Sequence, residues 1–70
     1  GNKDKWAPVT IRRNAVVGGG ATILPGVIIG ENAVLGAGSV LTTSIPDGEV
    51  WKGNPAIFHM HRQEYEERRN

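Results

Sequence analysis

Reactive side chains are few in these 70 residues, and their spacing limits the chemistry open to them. The two histidines, His59 and His61, stand two apart. On a helix that spacing turns them away from each other, and no further ligands converge on them, so a zinc site is not expected. Both lie in the tail with no nucleophile placed beside them, and no Ser/His/Asp relay can be assembled. Two glycine clusters invite a phosphate-binding reading. Gly18-Gly19-Gly20 is not followed by Gly-Lys-Ser/Thr, and the next segment reads as a strand where a phosphate loop requires a helix. Gly36-Ala37-Gly38 lacks the third glycine of a dinucleotide fingerprint. The chain has no cysteine, which excludes thiolate metal sites and disulfides alike. Both glycine clusters are better explained as backbone corners.

Those corners recur at a fixed period. Cut every six residues from Val9, the chain reads VTIRRN, AVVGGG, ATILPG, VIIGEN, AVLGAG and SVLTTS, without insertion through Ser44. The third column is an unbroken aliphatic line of Ile11, Val17, Ile23, Ile29, Leu35 and Leu41. The first column, Val9, Ala15, Ala21, Val27, Ala33 and Ser39, is mostly small. In extended backbone, residues two apart share a side, so both columns face inward together. The sixth column is Asn14, Gly20, Gly26, Asn32, Gly38 and Ser44, mostly the two residue types that enter positive φ at least cost. Short strand and corner alternate, which suits a chain coiled around a prism; a helix needs apolar spacings of three and four. With three segments to a coil, residues 18 apart stack, large on large and small on small. The repeat therefore gives two coils, 9–26 and 27–44, after an extension over residues 1–8.

A coil this thin needs cover. Ile45-Pro46-Asp47-Gly48 has turn chemistry and is expected to stop the repeat. Residues 45–58 then form a capping turn and strand, in which Trp51, Ile57 and Phe58 are expected to close the last coil. Residues 59–70 hold good helix formers, with Glu64 four residues before Arg68, and a short helix is expected there. The second, outward column is unusually apolar, with Val16 stacked on Val34, which predicts a face that seals against another copy of the chain.

A formal charge of +1, with its basic residues divided between both ends, argues against a nucleic-acid partner. No run approaches the roughly 18 apolar residues of a membrane span, and a soluble, cytoplasmic chain is expected.

The stretch from Gly26 to Thr42, GVIIGENAVLGAGSVLT, followed by Ile45-Pro46 and Gly53-Asn54-Pro55-Ala56, resembles the end of hexapeptide-repeat acyltransferases. That group includes sugar O-acetyltransferases and nucleotide-sugar N-acetyltransferases, and the resemblance covers about residues 8–57. It implies an all-β fold, a left-handed parallel β-helix, assembled as a homotrimer. It also implies acetyl-CoA as acyl donor, held in a groove between neighbouring subunits, a sugar or nucleotide-sugar acceptor, and no metal. The family's coenzyme contacts, mainly to backbone, fall here on Gly19, Ala37 and Thr42. Two positions depart from the pattern: Thr43 stands where many relatives carry Lys, and Ile57 where Arg or Lys is common. Lys52, His59 and Arg62 are the cations left to meet coenzyme phosphates, and weak affinity is expected. The family's general base sits on an earlier coil, which in this register precedes residue 1, so no catalytic residue is assigned. Two readings follow. One is the carboxy-terminal portion of an acetyltransferase, inactive alone; the other is a non-enzymatic β-helix that works by oligomerising.

Overall fold

The structure, a computed structural model, describes residues 7–69; the first six residues of the expected extension lie outside this range. Six two-residue strands come first: β1 (Thr10–Ile11), β2 (Val16–Val17), β3 (Thr22–Ile23), β4 (Ile28–Ile29), β5 (Val34–Leu35) and β6 (Val40–Leu41). The first three pair in parallel with the strand three further on, Ile11 beside Ile29, Val17 beside Leu35, and Ile23 beside Leu41. Strands are this short because a left-handed residue closes each of the first five hexads: φ is 63° at Asn14, 73° at Gly20, 83° at Gly26, 62° at Asn32 and 71° at Gly38. The result is a three-sided prism with its strands stacked in three ladders.

Stacking does not stop at Ser44. Ile45 bridges Ile29, and β7 (Glu49–Gly53) runs parallel to β5 with Val50 beside Val34 and Trp51 beside Leu35, so a further rung follows at a spacing of 16 residues. The shorter spacing leaves backbone donors to satisfy. Side chains take them: Ser44 Oγ accepts the Ile28 N–H at 2.8 Å, and Asp47 Oδ1 accepts the Glu31 N–H at 2.7 Å. The left-handed corner moves accordingly from the sixth column to Gly48, at φ 74°.

The hairpin partner of β7 is β8 (Ala56–His61), joined through Gly53, Asn54 and a cis Asn54–Pro55 peptide bond. The helix α1 (Arg62–Arg69) follows at once. Residues 59–61 are therefore strand, not the start of the helix. The open edge of β7 presents unpaired backbone groups, and pairing through Glu49 and His61 outweighs local helix propensity there.

Core burial is graded along the prism. Ile29, Leu35 and Leu41 are fully buried, whereas Ile11 is 53% and Val17 36% exposed. Ile45 and Ala56 are buried against the inner aliphatics and Trp51 packs against them, so the cover over the last rung is Ile45, Trp51 and Ala56. Ile57 and Phe58, expected in that role, are exposed. The hairpin register sets Ile57 opposite Lys52 on the outward side and carries Phe58 onto the last strand of the sheet, where its ring meets His61 edge-on at 5.2 Å.

Part of the outward apolar column is covered within the chain itself. Val16, Val34, Val50 and Met60 stand in register across the four strands β2, β5, β7 and β8. Tyr65 of α1 lies with them along one groove. Val34 and Val50 are buried within the single chain, whereas Val16 stays 40% and Ile28 38% exposed. Among the described residues no helix is long and apolar enough to cross a membrane.

Candidate functional site

Two corners stack beside each other where β2 and β5 end. The Gly38 N–H donates to the Gly19 carbonyl at 3.0 Å, which locks the Ala37-Gly38 corner onto Gly19-Gly20 one coil earlier. A Cβ added at Gly19, Gly20 or Gly38 would meet nothing within 4 Å. Backbone is thus bare along this edge, and a ligand can approach it closely. Gly18 differs altogether: a Cβ there would lie 2.4 Å from the Ala37 nitrogen. One glycine in this cluster is needed for stacking, and its neighbour is not.

The structure brings Gly19 and Ala37 together on that edge, both exposed. Thr42 is set apart from them. It follows β6 and is exposed at the far end of the third ladder, so any ligand touching all three residues must cross that ladder.

A groove of about 310 Å³ opens on the second ladder and reaches this edge at Ala37. Its floor includes Val16 and Val34 and the paired glycines Gly18 and Gly36; Lys52, His59 and Tyr65 stand around it. A Cβ on Gly36 would come within 2.8 Å of the Lys52 Cβ, so the glycine lets the lysine stem lie against the strand. His59 arrives by a bulge. Phe58 pairs with Trp51 and Met60 with Val50, leaving His59 as an extra residue, and it lines the groove together with Met60.

Arg62 is placed elsewhere. Its Nη1 donates to the carbonyls of Asn14 and Asn32, both at 3.1 Å, and its backbone N–H donates to the Gly48 carbonyl at 2.7 Å. Those three carbonyls belong to the left-handed corners of one edge, so a single arginine fastens the β8–α1 junction to every rung there. Its guanidinium also meets Glu66 at 3.4 Å and lies 5.9 Å from the Tyr65 ring centroid. Of the cations considered for coenzyme phosphates, Arg62 is therefore structural, while Lys52 and His59 face the groove. No sequence pattern signalled this staple, because its acceptors are main-chain carbonyls. Ser39 was missed in the same way. Read as one small inward residue among several, it is buried, and its Oγ accepts the Gly53 N–H at 3.1 Å, fixing the hairpin to the coil. Among the described residues no three His, Asp or Glu side chains converge as a metal site.

Residues 8–43 match the family model described as bacterial transferase hexapeptide (six repeats). The chain belongs to this hexapeptide-repeat transferase family. Membership brings the left-handed β-helix. A Saccharomyces cerevisiae protein named as an acetyltransferase is 54% identical over 48 residues, 69% of this chain and 24% of that protein. Gamma carbonic anhydrase 2 of Arabidopsis thaliana is 51% identical over 51 residues, covering 70% of this chain and 18% of that protein. Among solved structures, a galactoside acetyltransferase in complex with coenzyme A superposes with a TM-score of 0.79 at 38% identity, over 87% of this chain and 30% of that one. The hexapeptide chain thus spans about a quarter or less of these two curated relatives.

Proposed function

We propose that this chain forms the donor side of an acetyltransferase site, holding acetyl-CoA along the bare edge at Gly19 and Ala37 and across the third ladder to Thr42. The observation that carries the proposal is the stacked, side-chain-free corner, with open space above Gly19, Gly20 and Gly38. Backbone carbonyls and N–H groups there can meet the amide-bearing arm of the coenzyme, as small corner residues allow close approach. The reaction is attack of an acceptor hydroxyl or amine on the thioester carbon: the new C–O or C–N bond forms, the C–S bond breaks with its electron pair leaving on the coenzyme A thiolate, and the acceptor proton passes to a general base and on to that thiolate. The acceptor is a sugar or nucleotide sugar, which the galactoside acetyltransferase likeness supports. The base is assigned to a coil outside these residues. His59 and His61 lie on β8, beyond the hexads, and are not given that role. Assembly as a trimer would set the edge of one subunit against the next and wall the groove.

The identity with a gamma carbonic anhydrase favours a second reading, because a stretch this alike in proteins named for different chemistries is foremost a scaffold. In that reading the coil is non-enzymatic and serves to oligomerise. Calorimetric titration with acetyl-CoA separates the two: saturable heat supports the donor site, and no binding at millimolar concentration supports the scaffold. The donor-side reading also expects no turnover of acetyl-CoA by these 70 residues alone; measured turnover would overturn the placing of the base elsewhere.

A further inference from the structure

The groove on the second ladder has a chemistry that the donor edge does not use. We propose that it is a separate binding site for a small amphipathic anion, an aliphatic body carrying a carboxylate or phosphate, with the body on the valine row and the anionic group at Lys52 and His59.

Four observations meet here. The groove holds about 310 Å³, at the small end of the range of roughly 300–1,000 Å³ typical of ligand sites. Its floor includes the aliphatic side chains of Val16 and Val34, a surface that suits a hydrocarbon chain, and no acid lines it. Lys52 and His59 come to it from different strands, the histidine brought in by the bulge, so a cation and an imidazole donor stand at one groove. Bulges of this kind commonly re-aim a side chain toward a site. Two acids of the neighbouring elements are occupied: Glu49 accepts the Trp51 indole N–H at 2.9 Å, and Glu66 meets Arg62. Charge and apolar surface therefore select the same ligand class, and a neutral hydrocarbon would leave the lysine unanswered.

Octanoate is the probe for a carboxylate and octyl phosphate for a phosphate, each titrated into the full chain while backbone amide resonances are followed by NMR. Shifts are expected at Gly36, Ala37, His59 and Met60, with octanol binding at least tenfold more weakly than the better anion. Lys52→Gln should weaken that anion about tenfold, the loss of one charge-assisted contact. Lys52 is exposed, so the variant keeps its fold, which the same spectra verify. Gly19→Leu, which obstructs the donor edge, should leave octanoate affinity within about twofold; this arm separates the site from the acetyl-CoA reading. Equal binding of octanol and the anions, an unchanged affinity in Lys52→Gln, loss of octanoate in Gly19→Leu, or no shift at millimolar ligand would each overturn the proposal.

Discussion

Gly18 and Gly19 are neighbours of the same type with opposite duties. At Gly18 an added methyl would press into the backbone of the next rung, whose parallel pairing leaves no room to retreat. Gly18→Ala is expected to destabilise the chain by about 3 kcal/mol, the upper part of the overpacking range, in urea unfolding followed by circular dichroism. Gly19→Ala, with open space and no left-handed φ to strain, is expected to change stability by less than about 0.5 kcal/mol. Arg62 is the third residue with a defined cost. Two carbonyls lose a charged donor in Arg62→Met, and a loss of about 2 kcal/mol is expected in the same assay. Glu66→Gln should cost less than about 0.5 kcal/mol, since that carboxylate is 46% exposed. The sequence showed Gly18 and Gly19 alike as corner residues, because the clash is with Gly36 and Ala37 of the next coil. Arg62 was open to a phosphate role for a related reason: its partners are backbone atoms of Asn14 and Asn32, and side-chain patterns carry no trace of them.

At the scale of elements, the hexads were legible and the arm after them was not. Each rung is specified locally by an aliphatic residue, a small one two positions earlier and a corner former, and the observed pairings of Ile11 with Ile29 and Ile23 with Leu41 follow from that period. Beyond Ser44 the register depends on an edge already built. Ile45 finds Ile29, and Val50 finds Val34, at a spacing the six-residue count does not contain. Helix propensity in residues 59–61 yields for the same reason, since β7 offers a row of backbone partners. The aliphatic side of the second ladder is covered in part within the chain, with Tyr65 of α1 beside it and Val16 still exposed. Deleting residues 62–70 should expose Val34 and Val50 and lower stability by about 3–5 kcal/mol, from the burial of two valines and the Arg62 contacts. Increased fluorescence of a bound anilinonaphthalene dye checks the exposure. An unchanged denaturation midpoint would show that the helix is not packed as described.

For the whole molecule, the prism has a finished end and a bare edge. Ile45, Trp51 and Ala56 close the rung reached last, while Leu24, just after β3, and Ile28 on β4 remain about two-fifths exposed. Subunit contact is expected on the first and third ladders, and sedimentation equilibrium is expected to give a trimer at micromolar concentration. Leu24→Glu with Ile28→Glu should shift it toward monomer with the amide spectrum of the prism otherwise retained. A folded wild-type monomer would remove the neighbouring subunit from the proposed groove. The central claim is that the bare corner edge receives the acyl donor, and Gly19→Leu tests it most directly because space is open there and the fold does not depend on the position. Calorimetric titration of acetyl-CoA into wild type and Gly19→Leu should give saturable binding to the first and at least tenfold weaker binding to the second, with equal unfolding midpoints. Equal affinity in the two proteins, or no binding to wild type at millimolar acetyl-CoA, would contradict it.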